Sequence, residues 1–178
     1  VEPRPGESPA LPEGPRGVAL GTLIRLLRDP SPENATAAAV ALHRDGRPEG
    51  MRCLAEWVKS RQPRWVASAA HAAAEAKEKS LKDSLLAQTA ITDGVARVWV
   101  LRALYALGDT SQLNALEDCL KRSEVDVQIE ATKAITDVGC RAVLDTLIVN
   151  LGSTDADLRV WSAHALGELG DGRAREPL

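Results

Sequence analysis

The sequence predicts an all-α protein, folded as a right-handed α-α superhelix (solenoid) of 31-residue helical hairpins. Three observations predict this fold: the composition, apolar residues at three- and four-residue steps, and a self-similarity with a 31-residue period. Phe is absent, Tyr occurs once, and Ala and Leu dominate the apolar residues. Such a composition favours closely packed helices over a sheet of aromatic and β-branched residues.

The repeat is visible when the sequence is aligned with itself at a 31-residue offset. One column then holds leucine in every unit, and another holds alanine in every unit. We expect the alanine where two helices cross closely and the leucine where the interior of a layer has to be filled. The leucines are Leu23, Leu54, Leu85, Leu116, Leu147 and Leu178, and the alanines are Ala41, Ala72, Ala103, Ala134 and Ala165.

Turn signals divide each unit into two helices, so each unit is predicted to be one helical hairpin. Glycine suits the left-handed cap at the C-terminal end of a helix, and it fills one column of the repeat except at Lys77. A second column holds residues that suit a helix N-cap or first turn. The first column is Gly46, Lys77, Gly108, Gly139 and Gly170, and the second is Ser31, Gln62, Asp93, Glu124 and Asp155.

The first fifteen residues differ in composition from the rest of the chain. They contain five prolines, three glutamates and no periodic apolar face, so we expect residues 1–15 to be a flexible Pro-rich tail or linker. Residues 16–178 are predicted to be the repeat array, with about five hairpins and a truncated unit at both ends, as in a piece of a longer array. The predicted helices span 17–28, 33–44, 49–60, 63–76, 79–90, 95–107, 110–122, 125–138, 141–151, 156–169 and the residues from 172 onward.

Charge and cysteine content exclude several classes of function. The net charge of −3 differs in sign from a nucleic-acid-binding footprint, so no nucleic-acid partner is expected. No apolar run approaches the roughly 18 to 20 residues that span a bilayer. Cys53, Cys119 and Cys140 are odd in number and lack C-x-x-C spacing. We therefore expect reduced thiols, as in a cytoplasmic protein, and neither a disulfide framework nor a zinc site.

The run from Leu158 to Leu178, LRVWSAHALGELGDGRAREPL, resembles the HEAT-like repeat of the phycobilisome-lyase (PBS lyase) type, with the pattern V-R-x-x-A-A-x-A-L-G-x-L-G-D-x-R-A-x-x-P-L. The runs Ala96 to Asp109 and Val127 to Gly139 resemble it more weakly. The resemblance implies a superhelical stack whose usual task is to bind other proteins. Some relatives act in bilin attachment to phycobiliproteins, but a repeat scaffold can serve many functions.

Two tryptophans are candidate partner-binding residues. Trp99 and Trp161 share one column of the repeat, and the intervening residue of that column is Glu130. A position that accepts glutamate is expected to be partly exposed, and tryptophan is enriched at binding hot spots. The alternative is that each indole packs along the outer helix layer with its N–H facing water.

The second helix of each hairpin is expected to line a concave surface, which we predict to be the partner-binding face. Its charged residues include Glu117, Asp118 and Lys121, so the groove is mixed or slightly acidic. Leu86 and Ile148 would form an apolar strip on this face if they are exposed. The alternative is that they pack between successive repeats.

No residue pattern points to catalysis or to a bound metal. His71 and His164 share a column but lie three repeats apart, too far for one coordination shell. A di-iron hydroxylase resembling deoxyhypusine hydroxylase would need His-Glu pairs, and the chain has none. G-x-S-x-G, H-E-x-x-H and phosphate-binding glycine loops are also missing from the sequence.

The sequence therefore predicts a non-catalytic protein-protein interaction scaffold without a cofactor, which binds an unidentified protein partner on its concave face. The alternative is a lyase-like or chaperone-like enzyme subunit of the bilin and phycobiliprotein type. Such a subunit would present a client protein to chemistry located elsewhere.

Overall fold

The computed structural model describes residues 15–170, and these residues form helices and turns without a strand. This confirms the all-α part of the predicted fold. The predicted tail at 1–15 falls outside the described residues except for Pro15, as does the helix predicted from 172 onward. The helices are α1 (Pro15–Leu26), α2 (Pro32–Arg44), α3 (Pro48–Val58), α4 (Pro63–Glu75), α5 (Lys82–Gln88), α6 (Gly94–Ala106), α7 (Leu113–Leu120), α8 (Val125–Asp137), α9 (Leu144–Asn150) and α10 (Ala156–Glu168).

The first helix of each hairpin lies within about two residues of its predicted bounds, whereas α5, α7 and α9 begin later than predicted. A short 3₁₀ turn precedes α5 and another precedes α7, at Lys79–Leu81 and Thr110–Gln112. Each turn is capped by a carboxylate that accepts a backbone N–H, from Glu78 in one case and Asp109 in the other. The equivalent residue before α9 is Cys140, which is buried and has no carboxylate to cap a turn. We attribute to this difference that no 3₁₀ turn precedes α9, which begins at the position equivalent to the first residues of α5 and α7.

The chain divides into two compact units, Val1–Leu54 and Ala55–Leu178. In the first unit, α1 packs against α2. Gly50 lies directly against the backbone of α2. A Cβ atom at this position would collide with the carbonyl oxygen of Ala39 and would lie 2.9 Å from the backbone nitrogen of His43. The close approach therefore requires glycine at this position.

In the second unit, α4, α6, α8 and α10 pack against one another in chain order. Helix α5 packs on α6, α7 packs on both α6 and α8, and α9 packs on α10. The leucine and alanine columns form the interior of this unit and are at most 4% exposed: Leu85, Leu116, Leu147, Ala72, Ala103, Ala134 and Ala165.

The turn column predicted for glycine adopts the left-handed conformation at every one of its members. The φ angles are 72° at Gly46, 54° at Lys77, 90° at Gly108, 67° at Gly139 and 69° at Gly170. Lys77 is the one non-glycine residue within 15–170 that has a positive φ. The turn is a Schellman motif: after α4, for example, the N–H of Lys77 donates to the carbonyl of Ala74, and the N–H of Glu78 donates to that of Ala73.

The predicted N-cap column is also correct, since each member is the N-cap of a first helix. Only Ser31 and Asp155 accept a backbone N–H of the capped helix through the side chain. Arg122 joins two other N-caps, with ion-pair distances of 3.2 Å to Asp93 and 3.1 Å to Glu124. Hydrogen bonds from Arg122 and Ser123 lower the pKa of Glu124 from 4.5 to about 2.

Among the helices of residues 15–170, none combines the length and the apolar character that a transmembrane segment requires.

We predict that replacing Lys77 by Gly stabilises the protein. A Cβ atom in the left-handed region costs about 1–2 kcal/mol, and the greater entropy of glycine in the unfolded chain offsets part of that cost. The expected gain is about 1 kcal/mol in the free energy of unfolding, measured by urea denaturation.

Gly108→Lys is the matched reverse substitution, because a Cβ atom at Gly108 would have nothing within 4 Å and would introduce only backbone strain. It should destabilise the protein by a similar amount. Equal stability of the wild type and both variants would show that this backbone conformation carries no cost.

A second prediction concerns acid stability. Because the folded-state pKa of Glu124 is lowered to about 2, its ion pair with Arg122 stabilises the fold above pH 4.5, and this contribution is lost as the pH falls from 4.5 towards 2. Glu124→Gln should therefore flatten the dependence of the unfolding free energy on pH in this window. The matched control is Glu75→Gln at the end of α4, since Glu75 has no ion pair among the described residues. A variant that keeps the wild-type slope would contradict the assignment.

Candidate partner-binding cleft

A cleft of about 390 Å³ lies on the surface formed by α6, α8 and α10. Trp99 of α6 lines one side, and Trp161 and His164 of α10 line the other. Residues of α8 line the part between them, and they are Glu130, Lys133, Thr136 and Asp137. The volume falls within the range of small-molecule and peptide-side-chain sites. We call this feature the tryptophan cleft.

The repeat explains why two tryptophans that are far apart in the sequence reach one cleft. Trp99, Glu130 and Trp161 occupy the same position in α6, α8 and α10, and these helices are successive neighbours. Residues at one position of stacked helices form a row across the stack. Both indoles are half-buried, so each has an apolar surface that contacts solvent.

Each indole has one imidazole and one cation beside it. The ring of Trp99 is 5.1 Å from that of His71 in an edge-to-face arrangement, and the guanidinium of Arg102 is 5.3 Å from the centre of the indole. The ring of Trp161 is 5.8 Å from that of His164, again edge to face, and the Lys133 ammonium is 4.6 Å from the indole centre.

The imidazole and the cation exchange positions between the two tryptophans. Around each tryptophan, one neighbour lies three positions ahead on the same helix, and the other lies on the preceding first helix. The imidazole is on the preceding helix for Trp99 and on the same helix for Trp161. Both positions belong to one column of the repeat, which contains His71, Arg102, Lys133 and His164.

Arg102 connects three successive first helices. Its Nε and Nη2 atoms lie 3.0 Å and 2.9 Å from the Asp137 carboxylate on α8, and its Nη1 atom lies 3.2 Å from Nδ1 of His71 on α4. A guanidinium only donates hydrogen bonds. His71 must therefore accept through an unprotonated Nδ1, which assigns the neutral tautomer with its proton on Nε2.

Lys133 has two partners, the indole of Trp161 and the Glu130 carboxylate at 2.7 Å. An ion pair that is partly exposed contributes up to about 1 kcal/mol, and a cation–π contact at such a site contributes a similar amount. Neither interaction fixes the indole by itself. Because they share one ammonium, they hold Lys133 and Trp161 in place together.

The polar groups of the cleft differ in whether they are already paired. The Thr136 hydroxyl donates to the backbone carbonyl of Thr132 at 2.8 Å, so it is committed to its own helix. By contrast, the indole N–H groups of Trp99 and Trp161 have no hydrogen-bond acceptor among residues 15–170. The two indoles therefore bring apolar surface to the cleft, and neither of their N–H groups is occupied by an acceptor within residues 15–170.

The candidate residues on the second helices lie outside the tryptophan cleft. Glu117 of α7 forms an ion pair of 2.8 Å with Lys121, the C-cap residue of that helix, and this pairing raises the pKa of Lys121. Asp118, next to Glu117, is exposed. Leu86 on α5 is half-buried. Ile148 on α9 is also half-buried and packs against the hydrophobic core.

Sequence reasoning missed the contribution of Arg102, Lys133 and Asp137 to the tryptophan cleft. A signal was present, because the column with two cations and two histidines follows the tryptophan column by three positions, about one helical turn. Within residues 15–170, no three His, Cys, Asp or Glu side chains form a possible metal site. The three cysteines are free thiols, and burial raises the pKa of Cys119.

We predict that the hydrogen bond between Arg102 and His71 influences the surroundings of Trp99, since both side chains lie beside its indole. His71→Phe keeps an aromatic ring beside the indole but cannot accept from Arg102. The indole N–H resonance of Trp99 should therefore shift in the ¹H–¹⁵N NMR spectrum of this variant.

The matched control is His164→Phe, which changes the imidazole beside Trp161 and should leave the Trp99 resonance in place. An unchanged Trp99 resonance in His71→Phe would exclude an influence of this hydrogen bond on the indole.

No protein-family model and no curated protein sequence matches this chain. The likeness to HEAT-like repeats thus depends on the residues of the repeat itself.

Proposed function

We propose that this chain is a non-catalytic protein-interaction scaffold made of HEAT-like hairpins, and that a partner protein binds in the tryptophan cleft. The observation that carries the proposal is the pair of half-buried indoles, Trp99 and Trp161, with free N–H groups on the two sides of one cleft. Tryptophan provides large contact area with few rotatable bonds, and it dominates many binding hot spots.

The 31-residue register supports the HEAT-like part of the proposal. The left-handed turns, the N-caps and the buried leucines all recur with this period, and first helices of the second unit pack in chain order. Repeats of this kind are expected to bury a continuous core by stacking on their neighbours. We propose that they continue as the right-handed superhelix that the sequence predicts.

The chemistry of the cleft favours binding over catalysis. Arg102 and Lys133 are paired with carboxylates, and the hydroxyl of Thr136 is bonded to its own helix. No nucleophile is oriented by a base among the residues that line the cleft, whereas apolar surface and hydrogen-bond donors are accessible. These groups can hold a peptide segment by stacking and by donation to its carbonyls.

The second helices provide a separate candidate surface, the one that the sequence predicts to be concave. Of its charged residues, Asp118 is exposed, and Glu117 and Lys121 are paired with each other. Charges at an exposed surface contribute little affinity, while aromatic anchors contribute much. We therefore assign the main affinity to the tryptophan cleft.

The test is quantitative affinity capture with the full chain as bait. A partner that depends on the cleft should be retained by the wild type and lost, by at least about tenfold in affinity, by the double variant Trp99→Ala and Trp161→Ala. The matched control is Trp65→Ala, whose indole packs 5.0 Å from that of Trp57 and does not line the cleft. Circular dichroism should show that all variants keep their helices.

A second variant separates the two surfaces. Glu117→Lys with Asp118→Lys reverses the charge of α7 and should leave capture unchanged. If this variant loses the partner while the double tryptophan variant retains it, the binding surface is the second-helix face and the tryptophan cleft is excluded.

A further inference from the structure

We propose that the tryptophan cleft binds the proline-rich segment 1–14 of a second copy of the chain. The inference rests on the proposed function, since it assigns an occupant to the same cleft. Two independent observations support it: the unpaired indole donors of the cleft, and a segment whose composition suits aromatic-lined grooves.

The first argument is the match between indole chemistry and a polyproline II chain. This conformation has no internal hydrogen bonds, so its carbonyls are available to donors such as the N–H groups of Trp99 and Trp161. Proline rings pack on flat aromatic faces, and a proline-rich chain loses little entropy when it binds. The two indoles of the cleft offer aromatic faces to the proline rings and N–H donors to the carbonyls.

The second argument is composition. The segment reads VEPRPGESPALPEG and carries four prolines, at Pro3, Pro5, Pro9 and Pro12. It has no periodic apolar face with which to build a packed core of its own. We therefore expect the segment to form stable contacts by binding to a groove that is already formed on another chain.

The third argument is charge. The cleft carries charges of both signs, since Glu130, Lys133 and Asp137 line it. The segment also carries both signs, with acids at positions 2 and 7 and a base at position 4. Charges of the segment can therefore pair with opposite charges at the cleft.

The fourth argument is length. The outer helices of the cleft are separated by two interaxial spacings of about 8–10 Å, which is roughly 16–20 Å. Pro3 and Pro9 are six positions apart, about 19 Å in a polyproline II chain with a rise of about 3.1 Å per residue. One proline could thus lie on each indole, and the rest of the segment would connect to α1 of its own copy.

When the segment comes from a second copy, each of the two chains can bind the segment of the other. Each chain has one such segment and one tryptophan cleft, so two chains can exchange segments about a two-fold axis. Both clefts are then filled, and the pair closes.

The first experiment is a titration of a fluorescently labelled synthetic peptide of residues 1–14 with the full chain, followed by anisotropy. We expect saturable binding that weakens at least tenfold in Trp161→Ala and changes less than about twofold in Trp65→Ala. A peptide with alanine at its four proline positions should also bind at least tenfold more weakly. No binding up to about 1 mM chain, or equal binding by the two tryptophan variants, would overturn the proposal.

The second experiment measures mass by sedimentation equilibrium over a range of concentrations. The wild-type mass should rise from 19.0 kDa towards twice that value. Full-length chains with Trp161→Ala, or with the four prolines replaced by alanine, should remain monomeric. A wild-type chain that stays monomeric while the peptide binds would show that the segment does not come from a second copy, and would overturn this assignment.

The failure of this inference can be distinguished from that of the proposed function. If the peptide does not bind but the capture of another protein still depends on Trp99 and Trp161, the cleft serves that protein and only the occupant proposed for it is wrong. If neither the peptide nor any captured protein responds to the tryptophan variants, both proposals fail.

Discussion

The left-handed residue that ends each first helix is the constraint on which the rest of the second unit depends. At Lys77, Gly108 and Gly139 the chain reverses through the same Schellman hydrogen bonds, so each second helix starts from the same geometry. A fixed reversal keeps the 31-residue register, and the register buries the column leucines Leu85, Leu116 and Leu147 at equivalent positions. Lys77 shows how strong the constraint is, since the chain accepts a strained backbone there.

The same register produces the tryptophan cleft without any special loop. Because α6, α8 and α10 are neighbours, a single helix position becomes a row of side chains across the surface. Trp99 and Trp161 are placed on the two sides of α8 by this geometry alone. The side chains three positions further on then supply an imidazole or a cation to each indole.

The interactions that hold this surface are individually weak, and their arrangement makes them effective. Each partly exposed ion pair contributes about 1 kcal/mol or less. Arg102, however, contacts His71, Trp99 and Asp137 at once, so one side chain links α4, α6 and α8. Shared partners of this kind restrict the indole, which would lower the entropy cost of the proposed binding.

The sequence by itself determined the helices, the turn column with its outlier Lys77, the N-caps and the buried leucines and alanines. These features depend on local backbone preferences and on the helical period, which can be read along the chain. Only the tertiary structure decided which faces of the helices form a cleft, that His71 accepts from Arg102, and that Ile148 packs against the core. Periodicity identifies residues at equivalent positions, but contacts between columns depend on the distances and crossing angles of neighbouring helices, which no local pattern specifies.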